Sequence, residues 1–423
     1  MSVRTSGVFR FFFALIPVAP MVSTPATAQS PWHMILGSED SVDIGMLKNA
    51  PNGHISYQQR NDTLTLWVDG RVRNPKGTVA TDTTQGTFIL RLHPASWQIA
   101  KLQGATPVKV LEGVHDSSVP CTASNAWYRN YAAINAIIPG PTGQLLAFVD
   151  GEFHPKNTGT PLRASIGVAT STDNGMTWPQ KAVIIQGNDI VAFHFNCTAV
   201  DNRMRTKADN VGAAGPSAVI RTDGKTKYIY LYYLDRVRFS TNGNPTSDIY
   251  VARAPYSRAG APGSWQFWTG RGWSTDTTEV IATPVITTPP HGEEAAHPQV
   301  TYNTALKRWL MVFHTRTDLY ASTSEDGTTW DTPQALGVSI RGARSPAFPT
   351  LVTPGSGDQQ TTGDIGWLFY SREVDVGPTT GKKEYLGFRR QFTLSIAGRK
   401  PPCATPQDCC TANGGTWSGG RCS

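Results

Sequence analysis

The chain has 423 residues, of which 38 are Lys or Arg and 31 are Asp or Glu, giving a formal net charge of +7. Charged residues make up only 16%, a share too low for an extensively disordered chain or for a fold of long solvated helices. The basic residues are scattered rather than clustered, which argues against nucleic-acid binding.

The N-terminal segment has the three parts of a secretory signal peptide. Arg4 and Arg10 form the basic region, residues 11–22 are largely apolar, and residues 26–28 (ATA) form a cleavage site. The apolar run is interrupted by prolines and is too short to span a membrane, and no other run is long enough. We therefore expect residues 1–28 to be removed, the protein to be secreted or periplasmic, and the mature chain to have no membrane span.

The rest of the chain is a loose series of similar units. The 40 glycines and 30 prolines favour short strands joined by turns, and each unit has three or four such strands with no helical period. The clearer units begin at Ala132, Gly215, His297 and Ser345, and a weaker one covers residues 55–110. Small sheets of this kind bury both faces by stacking around an axis. The sequence therefore predicts an all-β fold, a β-propeller of five or six four-stranded blades over residues 29–398.

Two points of this architecture stay open in the sequence. Residues 32–46 precede the weak unit and are available to complete a sixth blade. A sandwich of two face-packed sheets is the alternative to a propeller. The units are unevenly spaced, which we interpret as loop insertions on one face, where repeat folds usually bind their ligands.

The six cysteines fall into two groups. Four of them indicate a small disulfide-rich tail over residues 399–423, at Cys403, Cys409, Cys410 and Cys422. Adjacent cysteines rarely bridge each other, so Cys409 and Cys410 are expected to pair with different partners. Cys121 and Cys197 are available to pair with each other across a blade.

Two stretches share one turn pattern, called the Asp-box below. Residues 171–178 (STDNGMTW) fit Ser-x-Asp-x-Gly-x-Thr-Trp in full, and residues 323–330 (TSEDGTTW) fit with two conservative changes, with Glu325 at the Asp position. In such a turn the Asp carboxylate accepts hydrogen bonds from the turn's own backbone, and Gly takes a positive φ. We expect both Asp-boxes to be structural and to lie away from the ligand-binding face.

These features resemble the sialidase superfamily. The likeness is carried by residues 128–132 (YRNYA), by residues 143–152 (GQLLAFVDGE) before the first Asp-box, and by residues 298–316 before the second. The resemblance implies a secreted glycoside hydrolase acting on a polysaccharide or oligosaccharide, with an acidic glycan as one option. It also implies an arginine triad that binds a sugar carboxylate by bidentate contacts. The triad positions are matched by Arg129, Arg316 and Arg389, with Arg372 as the alternative to Arg389.

The resemblance also supplies candidates for the catalytic groups. Glu294 matches the glutamate that activates the family's tyrosine nucleophile. Tyr370, in a Tyr-Ser pair, is the candidate for the nucleophile itself, although it lies earlier in the chain than the family pattern places it.

Three polar residues crowd one strand end, whatever the family. Asp150 and Glu152 are two positions apart and therefore point to the same side of a strand, and His154 continues the series. Like-charge proximity raises the pKa of one carboxyl of such a pair, which suits a general acid in glycoside cleavage. We interpret Asp150 and Glu152 as catalytic and His154 as substrate-binding; the alternative is a solvated strand end.

A second cluster precedes the first strand of the unit that begins at His297. Glu294 and His297 stand where the innermost strand of a propeller blade meets the central pocket, so Glu294 is a second catalytic candidate and His297 a substrate-binding one. A surface acidic loop is the alternative. A metal site built from His291, Glu293 and His297 is a further option, although we expect no metal and no cofactor.

Three functions fit these patterns. The leading one is a glycoside hydrolase. The second is a polysaccharide lyase, in which a histidine or tyrosine abstracts the proton beside a uronate carboxylate, the candidates being His154, His194, His297 and Tyr370. The third is a non-catalytic glycan-binding propeller. A cluster of tryptophans suits stacking on sugars or packing within a blade, at Trp265, Trp268 and Trp273. The expected partner is a carbohydrate in each case, and the protein is expected to be a monomer.

Overall fold

The computed structural model describes residues 31–42, 44, 47–72, 85–92, 107–114, 125–154, 163–187, 211–239, 245–275, 282–287, 294–338, 346–353, 355–377, 382–399, 417–418 and 421–422. The predicted signal peptide, His194, His291 and Glu293 lie outside these residues, and so do all the cysteines except Cys422. The expectations for them stay predictions.

The described residues form strands and short turns. The first strand among the described residues is β1 (Trp32–Val42). Blade 1 contains β2 (Leu47–Lys48), β3 (Ser56–Arg60), β4 (Thr63–Val72), β5 (Gly86–Leu92) and β6 (Val108–Glu112). Blade 2 contains β7 (Tyr131–Pro139), β8 (Leu145–Phe153), β9 (Arg163–Ser171) and β10 (Gln180–Ile185). Blade 3 contains β11 (Val211–Asp223), β12 (Thr226–Phe239), β13 (Pro245–Pro255), β14 (Gln266–Trp268) and β15 (Trp273–Ser274).

The remaining strands complete two more blades. Blade 4 contains β16 (Ala296–Asn303), β17 (Arg308–His314), β18 (Leu319–Ser324) and β19 (Gln334–Ala335). Blade 5 contains β20 (Pro346–Val352), β22 (Ile365–Gly377), β23 (Lys382–Ile396) and β1, while β21 (Thr361–Thr362) pairs with β16. Near the C-terminus, β24 (Trp417–Ser418) pairs with β25 (Arg421–Cys422). Within these described ranges, no helix is long and apolar enough to cross a membrane.

The blades stand side by side around a closed ring. Five clusters of buried apolar side chains each join two neighbouring blades, and every blade takes part in two of them. Trp67 of blade 1 shares a cluster with Ile134 of blade 2, and Phe369 of blade 5 shares one with blade 1. Because both faces of a sheet are covered, strands such as β8 (LLAFVDGEF) are nearly continuous apolar runs. This is the predicted β-propeller, with five blades among the described residues.

The ring is closed by the N-terminal strand. β1 pairs antiparallel with β23, from Trp32 opposite Ile396 to Val42 opposite Gly387, and forms the outermost strand of blade 5. The segment that begins at Trp32 therefore does not form a sixth blade, because it completes the fifth.

The innermost strands of blades 3, 4 and 5 share a β-bulge before a proline. Gly215, His297 and Phe348 have φ angles of 58°, 48° and 55°, and each directly precedes a proline. The pairing register of all three strands shifts at these positions. A positive φ is uncommon outside Gly and persists only where the surrounding structure holds it. The bulges therefore fix His297 and Phe348 at equivalent places, at the axial ends of their blades.

Polar side chains just after these prolines link each inner strand to the next blade. Three such bonds are present, from Val300 N to Ser217 Oγ (2.9 Å), from Leu351 N to Gln299 Oε1 (3.2 Å) and from Ile55 N to Thr350 Oγ1 (3.2 Å). They hold the inner strands of blades 3, 4, 5 and 1 in one register around the axis.

The first Asp-box turn has the expected hydrogen bonds. Asp173 Oδ1 accepts from the backbone N–H groups of Met176 at 3.1 Å and Thr177 at 2.9 Å. The side chain and backbone of Thr177 hold the pKa of the Asp173 carboxyl well below its usual range. Gly175 has a φ of 80°, and its carbonyl accepts from the Trp67 indole of blade 1 at 3.4 Å. The turn therefore fastens blade 2 to blade 1.

In the second turn, the alignment of Glu325 with the Asp position is wrong. Asp326 Oδ1, one residue later, accepts from the backbone N–H groups of Thr328 at 2.7 Å and Thr329 at 2.6 Å. The Glu325 side chain is 82% exposed. The turn is one residue shorter than the first, since Ser324 bonds the N–H of a glycine three residues on rather than four.

The tryptophans near the end of blade 3 are packed within the fold. Trp265 is buried, and its indole donates to the Gly260 carbonyl at 3.1 Å. Trp268 and Trp273 lie 5.4 Å apart and pack against the cluster between blades 3 and 4. Of the two roles considered for these tryptophans, sugar stacking and packing within a blade, the structure therefore shows packing.

Candidate functional site

An open cavity of about 520 Å³ lies at the axial face, where blades 1, 2, 4 and 5 meet. It is called the axial pocket below. Its wall is mainly polar and is lined by Asn52, Gly53, Arg71, Gln85, Asn130, Tyr131, Asn135, Asp150, Glu152, His154, His297, Phe348 and Tyr385. Four of the nine residues predicted from the sequence line it, namely Asp150, Glu152, His154 and His297.

The end of β8 brings two carboxylates into the axial pocket. Asp150 and Glu152 lie on the same side of β8, which pairs with β7. Asp150 Oδ2 accepts the Gly215 N–H at 3.3 Å, a donor provided by the bulge of blade 3. Glu152 Oε2 lies 2.8 Å from His154 Nε2, and the His154 backbone N–H donates to Asn130 Oδ1 at 2.7 Å. Both carboxylates are therefore held in place by specific contacts.

A third carboxyl group lies behind the wall, on β4 of blade 1. Asp69 is fully buried, and its Oδ2 accepts from Gln85 Nε2 at 2.8 Å. The Tyr131 hydroxyl lies 2.8 Å from the same oxygen and 2.9 Å from the Asn52 carbonyl oxygen. Burial raises the pKa of Asp69 well above its usual range, and burial together with Asp69 raises that of Tyr131. Both groups therefore hold their protons more strongly than in water.

Three histidines lie near the opposite wall. His297 Nδ1 is 2.7 Å from His314 Nε2, and the two rings are stacked with an interplanar angle of 9°. His54 is buried, and its Nδ1 lies 2.9 Å from the Pro349 carbonyl oxygen. Burial lowers the pKa of His54 to about 3, so its ring is neutral at physiological pH. Among the described residues, no group of three or more His, Cys, Asp or Glu is arranged to hold a metal ion.

Aromatic rings form the apolar part of the wall. The Phe348 ring lies 4.5 Å from the His297 ring and 5.3 Å from the Tyr385 ring, in edge-to-face geometry. Phe348 is exposed by 8%, so most of its surface is packed and only a part faces the cavity. Such rings give a sugar an apolar face to lie against.

The predicted arginine triad does not converge on the axial pocket. Arg129 follows the short turn Ala126–Tyr128 and is not among the residues that line the pocket. Arg316 is 38% exposed and lies 4.0 Å from Glu294, and neither residue lines the pocket. Glu294 and Arg316, predicted separately as site residues, thus contact each other on blade 4 and are not among the residues that line the pocket.

Arg389, Arg372 and Tyr370 connect β1 to the other strands of blade 5. Arg372 Nη2 donates to Glu39 Oε2 at 2.7 Å, and the Tyr370 hydroxyl bonds the same carboxylate. Arg389 lies 3.9 Å from Asp40 and 4.0 Å from the centre of the Trp367 ring. These side chains are buried between strands and do not line the axial pocket, so the structure gives them a role in ring closure.

Sequence reasoning missed Asp69 although a signal was present. Val68-Asp69-Gly70 lies near the end of β4, just as Val149-Asp150-Gly151 lies near the end of β8. Leu234-Asp235 stands at the corresponding place on β12, and Asp235 is also buried. Aligning the second strand of each unit would have identified all three. No such repeat marks Tyr385, whose side chain reaches the pocket from β23.

Comparisons with known proteins give one family match and several distant structural likenesses. Residues 152–366 match the profile of a domain of unknown function, DUF4185. No curated protein matches the sequence significantly. The fold resembles a protein of unknown function from Dyadobacter fermentans DSM 18053, with 10% identity, 86% of this chain and 99% of that chain covered, and a TM-score of 0.46. A solved glycoside hydrolase has 9% identity, coverage of 88% and 93%, and a TM-score of 0.47. An alpha-L-arabinofuranosidase from Lactobacillus brevis has 11% identity, coverage of 82% and 92%, and a TM-score of 0.45.

Proposed function

The chain belongs to the DUF4185 family, whose profile matches half of its length, and we propose that it is a glycoside hydrolase that cleaves an uncharged glycan in the axial pocket. The observation that carries this proposal is the pair of carboxylates, Asp150 and Glu152, on one strand in an open pocket. Glycoside hydrolysis proceeds through a cationic, oxocarbenium-like transition state, and a pair of carboxyl groups is the usual means of promoting it.

The two carboxylates differ in their surroundings, which supports different roles. Glu152 is the more accessible, and its contact with His154 orients it at the pocket wall, so it is the group that takes a proton from the attacking water. Asp150 is 6% exposed and is fixed by the Gly215 N–H, so its charge stabilises the positive charge that develops on the sugar ring.

The remaining wall suits the hydroxyl groups and the apolar face of a sugar. Four amide side chains line it, Asn52, Gln85, Asn130 and Asn135, and three of them are already held by protein contacts, so a sugar hydroxyl would use the donor and acceptor positions that remain. Phe348 and Tyr385 add an aromatic surface on the other side. A few directed polar groups beside an apolar wall are typical of a small-molecule or sugar subsite.

The charges of the pocket favour an uncharged glycan over an acidic one. Asp150 and Glu152 line the cavity, whereas Arg71 is the only Arg or Lys among the described residues that line it. A sugar carboxylate there would meet like charges at close range. The arginines expected to bind such a carboxylate lie elsewhere in the described structure. The sialidase-like form of the prediction therefore has no support from the pocket.

The test is a panel of polysaccharides assayed for the release of new reducing ends. We expect activity on an uncharged glycan, no activity on sialylated or uronate-rich ones, and a loss of at least about 100-fold in kcat for Asp150→Asn and Glu152→Gln. Glu325→Gln, at an exposed turn away from the pocket, is the matched control and should keep wild-type rates.

The other outcomes of this panel correspond to the other functions. Products that absorb in the ultraviolet through a new double bond would identify a lyase. Binding of a glycan without cleavage of any member of the panel would identify a binding propeller. We also propose that the protein acts outside the cytoplasm, as residues 1–28 predict, which N-terminal sequencing of the exported chain would test.

A further inference from the structure

The proposed reaction needs a proton donor for the leaving oxygen, and two groups beside the axial pocket have not been assigned a role. They are Tyr131, which lines the pocket, and Asp69 behind it. Asp150 and Glu152 are already held by a backbone N–H and a histidine. Tyr131 lines the wall, and its hydroxyl connects directly to a buried carboxyl.

The hydrogen bonds around Tyr131 contain more acceptors than its single proton can serve. The hydroxyl lies 2.9 Å from the Asn52 carbonyl oxygen and 2.8 Å from Asp69 Oδ2. A carbonyl oxygen only accepts, and an ionised carboxylate only accepts. If Asp69 were ionised, the single Tyr131 proton could serve only one of these two oxygens, and the other would lack the proton it faces.

A proton on Asp69 satisfies the whole set. The Asn49 amide donates to Gln85 Oε1 at 2.8 Å, which fixes Gln85 Nε2 as the donor to Asp69. A protonated Asp69 Oδ2 then donates to the Tyr131 oxygen, and Tyr131 donates to the Asn52 carbonyl. The result is a continuous chain of donors that runs from Gln85 through Asp69 to Tyr131 at the pocket wall.

We propose that Tyr131 gives its proton to the leaving glycosidic oxygen and that Asp69 replaces it from behind. This proposal rests on the proposed function and identifies its general acid. Tyr131 would be a catalytic residue because it touches the substrate, whereas Asp69 would be a positioning residue that acts through it.

The step balances without any further reactant. The bond between the anomeric carbon and the glycosidic oxygen breaks, and its electron pair stays on the oxygen, which takes the Tyr131 proton. The Asp69 proton moves to the Tyr131 oxygen and leaves an ionised carboxylate that still accepts from Gln85. Water adds to the anomeric carbon and loses its proton to Glu152. That proton returns through solvent in the pocket to the Asp69 and Tyr131 pair, which resets the site.

The pKa shifts of the pair require the two proton transfers to be coupled, because a raised pKa makes Tyr131 alone a weak acid. Burial is the main cause that raises the pKa of Asp69, and the nearby Glu152 raises it further, against the opposing bonds from Gln85, Tyr131 and Asn52. Burial is the main cause that raises the pKa of Tyr131, and the charges of Asp150 and Glu152 raise it further. Tyr131 therefore cannot remain a phenolate after donating, so a proton from Asp69 must follow.

The first test detects the proton on Asp69 without any substrate. In protein labelled with carbon-13 at the Asp carboxyl groups, we expect one Asp resonance at pH 7 to have the shift of a protonated acid. That resonance should be missing from Asp69→Asn and present in Tyr128→Phe, a control outside the pocket. Complete ionisation of the Asp69 carboxyl at pH 7 would overturn the proposal.

The second test uses leaving groups that differ in their need for a proton. On the glycan, where the leaving group is a sugar alcohol, Tyr131→Phe and Asp69→Asn should lower kcat by about 100-fold or more. On an aryl glycoside of the same sugar with an acidic phenol, the loss should be less than about 10-fold, because an acidic phenol leaves without protonation. Tyr128→Phe should match wild type on both substrates.

The outcomes distinguish a failure of the Tyr131 proposal from a failure of the proposed function. If wild type cleaves the glycan and Tyr131→Phe is equally impaired on both leaving groups, Tyr131 is not the general acid. If Tyr131→Phe fails to fold, the same comparison with Asp69→Asn decides. A wild-type protein that releases no reducing ends from any glycan contradicts the proposed function, and the carbon-13 spectrum then still decides whether Asp69 holds the proton.

Discussion

The way the ring closes predicts that Glu39 stabilises the fold far more than its neighbour Asp40. Glu39 accepts from Arg372 at 2.7 Å, bonds the Tyr370 hydroxyl and lies 3.6 Å from Arg390. The Arg372 side chain is 6% exposed. Asp40, by contrast, is 47% exposed and lies 3.9 Å from Arg389.

The magnitudes follow from these exposures. Removing one partner of a buried ion pair costs about 3–5 kcal/mol because the other charge is left buried. The Glu39 side chain is 19% exposed, so Glu39→Ala should lie near the lower limit, at about 3 kcal/mol. Asp40→Asn weakens a long contact of 3.9 Å to the buried Arg389, which also packs on the Trp367 ring, and Asp40 itself is nearly half exposed, so the change should cost less than about 1 kcal/mol.

Urea unfolding followed by tryptophan fluorescence measures both changes on one scale. Hydrogen exchange shows where the fold is weakened. Loss of the Glu39 contacts should speed amide exchange in β1 and β23 before it affects blades 2 and 3. Equal free energies of unfolding for Glu39→Ala and Asp40→Asn would refute the reasoning. So would faster exchange that is uniform over all blades.

Three further predictions concern pH, packing and the predicted triad. Burial lowers the pKa of His54 from 6.5 to about 3, so between these values the unfolded chain binds a proton that the folded chain does not. The free energy of unfolding therefore falls as the pH drops from about 6.5 to about 3. In urea titrations at pH 7 and pH 4, His54→Asn should reduce this fall, whereas the exposed control His33→Asn should not. A Cβ at Gly175 would lie 2.6 Å from the Trp67 ring, whereas one at Gly143, also at positive φ, would meet nothing within 4 Å. Gly175→Ala should therefore lower the free energy of unfolding by about 1–3 kcal/mol more than Gly143→Ala does. Equal losses would mean that only backbone strain matters. Arg316→Ala should keep wild-type turnover and change stability by less than about 1 kcal/mol, and a large loss of kcat would return Arg316 to the site.

The sequence was sufficient for the fold class because the signal repeats. Each blade carries alternating runs of strand and turn, and the Ser171 to Trp178 turn has a side-chain pattern that specifies its own hydrogen bonds. Asp150, Glu152 and His154 could be placed together because they follow one another on one strand and its end. Local patterns of this kind need no knowledge of the rest of the chain.

The other parts of the site depend on contacts between distant segments. Tyr385 reaches the axial pocket from the last blade, and Tyr131 meets Asp69 across 62 positions of sequence. Tyr370 of β22 and Arg389 of β23 contact β1, a strand that pairs with residues 345 to 364 positions further along the chain. The resemblance to one family placed Tyr370 and Arg389 in the site only because of their order along the chain. Which strand ends line the axial pocket depends instead on how the blades pack around the ring.

The axial pocket is predicted to add water across a glycosidic bond, and the most direct measurement of this is the fate of the water oxygen. Wild-type protein would be incubated with the uncharged glycan in water enriched in oxygen-18, and the products analysed by mass spectrometry. Our account predicts one oxygen-18 atom at each new reducing end and none at the new non-reducing end, and almost none at either with Glu152→Gln. Cleaved products that contain no oxygen-18, or an unchanged glycan, would contradict hydrolysis in this pocket.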